Sequence, residues 1–129
     1  MIEKNVVNVE LSKKLYELGI DKESLFYWYE FEGNSVVPEV RYHTLQYGHI
    51  ISPYLKMRYS AYLASELLEI LYSNIDVSII EVRRGFDKIG FFVSCFSELT
   101  HTRFFDESIP NGLANILIYL LENKLMEIK

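Results

Sequence analysis

The chain has 129 residues, of which 50% are hydrophobic and 24% are charged. This composition is typical of one globular domain covering residues 1–129, and it excludes an intrinsically disordered chain. Thirteen basic residues against eighteen acidic ones give a net charge of -5, which disfavours indiscriminate binding to nucleic acid or anionic lipid.

The first predicted element is a helix over residues 9–18. Asn8 can cap its start, and a leucine stripe that includes Leu15 recurs at helical spacing. Gly19 follows at the position where a left-handed residue commonly ends a helix. Ile20 is then placed to fold back onto Leu15 in a Schellman closure, and the chain should continue directly into a strand.

Two strands are predicted next. Residues 25–32, LFYWYEFE, are rich in aromatic side chains and are followed by a Gly-Asn turn signal. The opposite face of this strand should become wet towards the turn, where Glu30 and Glu32 lie. A partner strand over residues 36–42 would form a hairpin, and Pro38 would make it an edge strand or distort it. Side chains that share the first face are those of Leu25, Tyr27, Tyr29 and Phe31.

The middle of the chain carries a weaker pattern. Residues 43–59 show no steady period, which indicates a loop with a short extended piece. Apolar residues at helical spacing then predict a second helix over residues 61–72, for which Ser60 is the nearest cap.

The last third of the chain predicts a hairpin and a helix. VSIIEVRR and IGFFVSCF read as two strands joined by residues 85–88, and a late loop carrying Asp106 and Glu107 follows them. Ser108 can cap a third helix that tolerates Pro110 in its first turn. Together these elements predict an α+β fold, in which three helices pack mainly on one face of an antiparallel sheet of three to five strands.

Three stretches resemble a family of small uncharacterised proteins encoded by phages and prophages: NVELSKKLYELGIDKESLFYW, YSAYLASELLEILY and GLANILIYLLENKLM. The family has an N-terminal helix closed by Gly before an aromatic strand, a middle ELxxxLP helix and a C-terminal ALAxxLIWLxEN helix. This chain departs from the family in having Leu63 for a capping Thr, Tyr72 for Pro and Tyr119 for Trp. The resemblance implies a phage-derived accessory or interaction module in the cytoplasm of a bacterial host. The shared residues are those that pack the fold, so they name no ligand.

Candidate chemical residues are few. His43, His49, His101 and Cys95 fit no spacing typical of a metal site or of nucleophilic catalysis. A lone Cys95 also excludes an internal disulfide, and no apolar stretch approaches the length needed to span a bilayer. We therefore predict no catalytic residue, no cofactor, no metal and no membrane partner, and a non-enzymatic role is favoured.

The segment over residues 40–65 is the most unusual local feature. It contains five tyrosines, two histidines and three basic side chains but no Asp or Glu, although the chain as a whole is acidic. Such a segment can contact a partner protein or a second copy of the chain; alternatively, it can bind nucleic acid or phosphate weakly. The candidate binding surface consists of Arg41, Tyr42, His43, Tyr47, Lys56, Arg58 and Tyr59.

Overall fold

The computed structural model describes residues 2–32, 41–49, 55–74, 79–85, 89–97 and 100–127. In these residues the chain forms a short 3-10 helix and three α-helices, one near the start, one in the middle and one near the end. Their bounds are Ile2–Asn5 for the 3-10 helix, Val9–Glu17 for α1, Ala64–Asn74 for α2 and Ile109–Glu122 for α3.

The strands in the described residues form two antiparallel sheets of three. Sheet 1 has the order β2-β1-β3, and sheet 2 has the order β4-β5-β6. The predicted α+β class, with antiparallel pairing and three helices, is confirmed, and the strands are divided between two sheets. Strand bounds are Phe26–Glu32 (β1), Arg41–Tyr47 (β2), Leu55–Ser60 (β3), Ile79–Arg84 (β4), Phe91–Phe96 (β5) and His101–Asp106 (β6).

Both ends of α1 are set by nearby residues, as predicted. The Asn8 side chain accepts a hydrogen bond from the Leu11 amide at 2.9 Å. At the other end, Gly19 has a φ of 96°, and the Ile20 amide donates to the Leu15 carbonyl at 2.9 Å. This is the Schellman closure, and it buries Leu15 and Ile20 together in the core.

The main core lies between the three helices and one face of sheet 2. Helix α3 contributes the largest share of it, and Val93 and Cys95 of the central strand β5 reach it from the sheet. Close approach requires a glycine here, because a Cβ added at Gly112 would lie only 2.5 Å from a methyl carbon of Val93. Fully buried members from the helices are Leu15, Leu67, Leu71, Leu113, Ile116 and Leu117.

We expect Gly112→Ala to lower the free energy of unfolding by about 1 kcal/mol. Overpacking should cost roughly 1–3 kcal/mol, while removing a glycine from a helix interior returns about 1 kcal/mol. Val93→Ala opens space at this contact, so the double variant should lose less stability than the sum of the two single losses. Denaturant unfolding of all four proteins measures this coupling, and strictly additive losses would show that the contact is not tight.

Sheet 1 buries side chains on both faces. On one face, Tyr27, Tyr29 and Phe31 form a second cluster, which Leu55 joins. The other face meets the N-terminal segment, where the Trp28 indole donates to the Val7 carbonyl at 2.8 Å. Leu25, predicted to share the first face, precedes the strand and is exposed.

Several predicted boundaries and faces are wrong. Residues 43–59, predicted as mostly loop, supply most of β2 and all but the last residue of β3, and these two strands flank β1. The late loop is instead strand β6, paired with β5. The face of β1 predicted to be wet holds a buried Glu30, with 7% of its surface exposed. The turn proposed after β1 and Pro38 of the predicted partner strand lie outside the described residues.

The start of α2 also differs from the prediction. Ser60 does not cap it, because this residue ends β3 and its hydroxyl donates to the Lys22 carbonyl at 2.6 Å. Instead, Leu63 precedes the first helical residue, and its amide donates to the Glu66 carboxylate at 2.9 Å. This is one half of a capping box, and it places the helix start three residues later than predicted.

Candidate functional site

The candidate binding surface is divided between the two faces of sheet 1. The strand register places Arg58 opposite Tyr29, on the face of the second cluster. Arg41 and Tyr42 are the first two positions of β2, and their side chains lie outside the described part of the chain. The members on the face towards α1 are His43, Tyr47, Lys56 and Tyr59.

A buried carboxylate holds the basic side chains of that face. Glu30 lies at the centre of sheet 1, and its Oε1 is 3.1 Å from Nε2 of His43. Lys13 of α1 approaches the same oxygen at 3.8 Å, and Lys56 of β3 approaches Oε2 at 3.9 Å. We call these four residues the Glu30 cluster. Its arrangement compensates a buried negative charge and connects α1 to all three strands of the sheet.

A β-bulge brings Lys56 into this cluster. The register between β1 and β3 shifts between Glu30 and Phe31, so that Met57 pairs with Glu30 while Leu55 pairs with Phe31. Lys56 is the extra residue on β3. A bulge re-aims the side chain of its extra residue, and here it turns Lys56 away from the face that carries Arg58.

Arg58 belongs to a different environment. Its guanidinium carbon lies 4.8 Å from the ring centre of Tyr27, in a cation–π contact. The same guanidinium contacts Nδ1 of His49, whose ring lies 4.9 Å from the Tyr27 ring. The two cations proposed to act together, Lys56 and Arg58, are therefore engaged on opposite sides of the sheet.

The tyrosines of the candidate surface differ in exposure. Tyr47 is 70% exposed and meets the Phe26 ring edge-on. Tyr59 is 8% exposed and lies under Tyr16 and Lys13 of α1. Burial, reinforced by the nearby Glu30 carboxylate, raises the pKa of Tyr59, so its phenol stays neutral. Only Tyr47 of this pair is placed to meet a partner.

The described residues form no cluster typical of a metal site. No three His, Cys, Asp or Glu side chains among them approach closely enough to hold a metal ion. Cys95 is fully buried, and burial raises the pKa of its thiol, which disfavours the reactive thiolate. His101 stacks near Phe96, with 4.3 Å between ring centres, on the other side of sheet 2 from Cys95.

An aromatic surface that the sequence analysis did not predict lies on sheet 2. The helices pack against the face that carries Val93, so alternate positions of β5 and β6 point away from them. On this outer face the rings of Phe92 and Phe105 lie 5.0 Å apart, and the Arg103 guanidinium is 5.6 Å from the Phe92 ring centre. We define the aromatic face of sheet 2 by Phe92, Phe96, His101, Arg103 and Phe105.

One signal in the sequence was available for this face. HTRFFD alternates between the two sides of a strand, but the pattern is short and its register depends on β5. Once β6 pairs with β5, the positions of His101, Arg103 and Phe105 fall beside Phe96, Ser94 and Phe92. Pairing between strands, not the spacing within one strand, creates the surface.

Open cavities border the elements discussed above. One, of about 330 Å³, runs along the outer edge of β3, and another, of about 260 Å³, lies between α2 and the segment after α1. A third, of about 810 Å³, lies where β4 ends and β5 begins. The cavity at β3 brings one carboxylate, that of Asp21, beside the side chains of Lys56 and Arg58. Its lining consists of Tyr16, Asp21, Leu55, Lys56, Met57 and Arg58.

Comparisons with protein-family models, with curated proteins and with solved structures find no match to this chain. Within the described ranges, no helix combines the length and apolar character needed to cross a membrane.

Proposed function

We propose that this protein is a non-enzymatic interaction module that binds a partner protein through the aromatic face of sheet 2. One observation carries the proposal: Phe92, Phe96 and Phe105 remain partly exposed on the side of sheet 2 away from the helices. Aromatic side chains beside an arginine are the residues that most often anchor protein interfaces.

Charge favours a protein partner over nucleic acid. Basic side chains on or near the candidate surfaces are paired within the chain: Lys13 and Lys56 with Glu30, and Arg83 with Glu81 at 3.2 Å. Arg103 donates to the Ser94 hydroxyl at 3.0 Å. Binding to nucleic acid depends on basic side chains that neutralise phosphates and so release the counterions of the nucleic acid. A chain of net charge -5 is repelled by such a polyanion.

An origin in phages or prophages, and action in the cytoplasm of a bacterial host, belong to the same proposal. They are supported by the three packing motifs in the sequence and by no comparison. An accessory module of this kind needs a binding surface and a stable fold but no catalytic centre. The ion pairs of Glu30 with Lys13 and Lys56 serve the fold in this way.

A pair of surface variants tests the proposal. Partner capture from phage-infected host cells should succeed with the natural protein and fail with Phe92→Ser plus Phe105→Ser. Tyr47→Ser serves as the comparison, because it removes an exposed ring from sheet 1; loss of capture in this variant would place the partner on sheet 1 instead. Circular dichroism first checks that both variants are folded. If the folded double variant captures the same proteins as the natural protein, the proposed surface is refuted.

The alternative, a weak nucleic-acid or phosphate binder, is favoured by the cavity at the edge of β3, which Lys56 and Arg58 both line. It predicts a salt-dependent mobility shift of single-stranded DNA or RNA that disappears in Lys56→Glu and Arg58→Glu. Under the interaction proposal we expect no shift even at low salt. A shift that both substitutions abolish would replace the protein-binding proposal with the alternative.

A further inference from the structure

Strand β4 forms an open edge of sheet 2. The Gly85 amide donates to the Gly90 carbonyl at 3.0 Å, so odd-numbered positions of this strand direct their backbone groups towards β5. Even-numbered positions point the other way, as shown by the Ile80 amide, which donates to the Tyr72 hydroxyl at 3.3 Å. The backbone groups of Val82 and Arg84 therefore face the open edge, where no described strand pairs with them.

Each face of this edge carries one exposed apolar side chain among the charged ones. Ile79 is 64% exposed on the side of the aromatic face, and Val82 is 41% exposed on the side of the helices. A strand that presents unpaired backbone groups together with exposed β-branched side chains is a template for another strand. The occupant must supply an extended segment with matching charges.

We propose that the occupant is a second copy of this chain, paired antiparallel along β4 with the twofold axis at Val82. This inference rests on the proposed function, because it names one partner for sheet 2. Val82 of one protomer then faces Val82 of its partner, and their outward backbone groups exchange two hydrogen bonds. The result is a continuous sheet of six strands with both aromatic faces on the same side.

Charge selects this register over its neighbours. With the axis at Val82, Glu81 of each protomer faces Arg83 of the other at a closely spaced, non-hydrogen-bonded position. An axis at Glu81 would oppose two glutamates, and an axis at Arg83 would oppose two arginines. Opposite charges across strands stabilise a sheet and like charges destabilise it, so only the central register satisfies both protomers.

Tyr72 opposes this pairing. In the single chain its hydroxyl accepts the Ile80 hydrogen bond, and in the dimer the Arg84 carbonyl of the other protomer takes its place. The Tyr72 side chain is 52% exposed, so it can rotate away. Tyr72→Phe removes the competing acceptor and should strengthen the dimer.

Sedimentation equilibrium over a wide range of protein concentration tests the inference. The natural protein should dimerise reversibly, and Glu81→Arg or Arg83→Glu alone should weaken association by about tenfold or more. The double variant restores the opposite-charge pairs and should recover most of the affinity. Val82→Pro should be monomeric but folded, because its amide points away from β5.

A natural protein that stays monomeric at every concentration would overturn the inference, and so would a double variant that associates no better than the single ones. Failure here is distinguishable from failure of the proposed function. If the protein is a monomer and its partner capture still depends on Phe92 and Phe105, the dimer inference fails and the proposed function stands. If the protein is a dimer and captures no partner, the proposed function fails and the pairing along β4 stands.

Discussion

Replacing Glu66 with alanine is expected to lower the free energy of unfolding by about 3 kcal/mol. Its carboxylate accepts hydrogen bonds from the Leu63 amide at 2.9 Å, the Ser24 hydroxyl at 2.7 Å and the Leu25 amide at 3.2 Å. The first bond caps α2, and the other two hold the entry to β1 against that helix. Alanine removes both acceptor oxygens and so all three hydrogen bonds at once, and the helix start and the strand entry loosen together.

Two further variants separate the charge from the general effect of changing α2. Glu66→Gln keeps one acceptor oxygen and should lose about 1 kcal/mol. Glu69→Ala changes an exposed glutamate of the same helix and should alter stability by no more than about 0.5 kcal/mol. Chemical denaturation measures all three. A Glu66→Ala protein that unfolds at the same denaturant concentration as Glu69→Ala would contradict the assigned role.

The second large effect is expected at Glu30, where Glu30→Gln should cost about 2 kcal/mol of stability. Removing one partner of a buried ion pair commonly costs 3–5 kcal/mol, because the remaining charge is stranded. In the Glu30 cluster the stranded groups are two lysines and a histidine whose side chains are 29–39% exposed, so they regain water and the loss is smaller.

Single changes among the cations provide the control. Lys13→Met or Lys56→Met leaves two basic partners on the carboxylate, so each should cost less than Glu30→Gln. Thermal unfolding at neutral pH compares them. If either lysine variant proved as destabilising as Glu30→Gln, the carboxylate would not be the centre of the cluster, and sheet 1 would be held to α1 mainly by packing.

The candidate binding surface shows where sequence reasoning succeeded and failed. The absence of acidic residues over 40–65 is real, and β2 and β3 do supply most of that segment. Lys56 and His43 of that segment nevertheless meet a carboxylate from β1, which lies outside the segment and close to it only in space. A charge pattern along one strand cannot reveal the charge of the strand beside it.

Sequence alone determined the elements whose ends are set by near neighbours. Asn8 and Gly19 define α1, and Ser108 caps α3 by accepting from the Asn111 amide. The β-branched and aromatic residues on either side of residues 85–88 define the β4–β5 pair. Each of these signals operates within a few residues, because caps and left-handed glycines satisfy local backbone groups.

Only the tertiary structure decided how the remaining strands are arranged. Strands β2, β3 and β6 have weak patterns of their own and are defined by the strands they pair with. The bulge that sends Lys56 to Glu30, the separation of Lys56 from Arg58 and the aromatic face of sheet 2 all follow from that pairing. Strand register is settled by long-range hydrogen bonds and burial, and these depend on residues far apart in the chain.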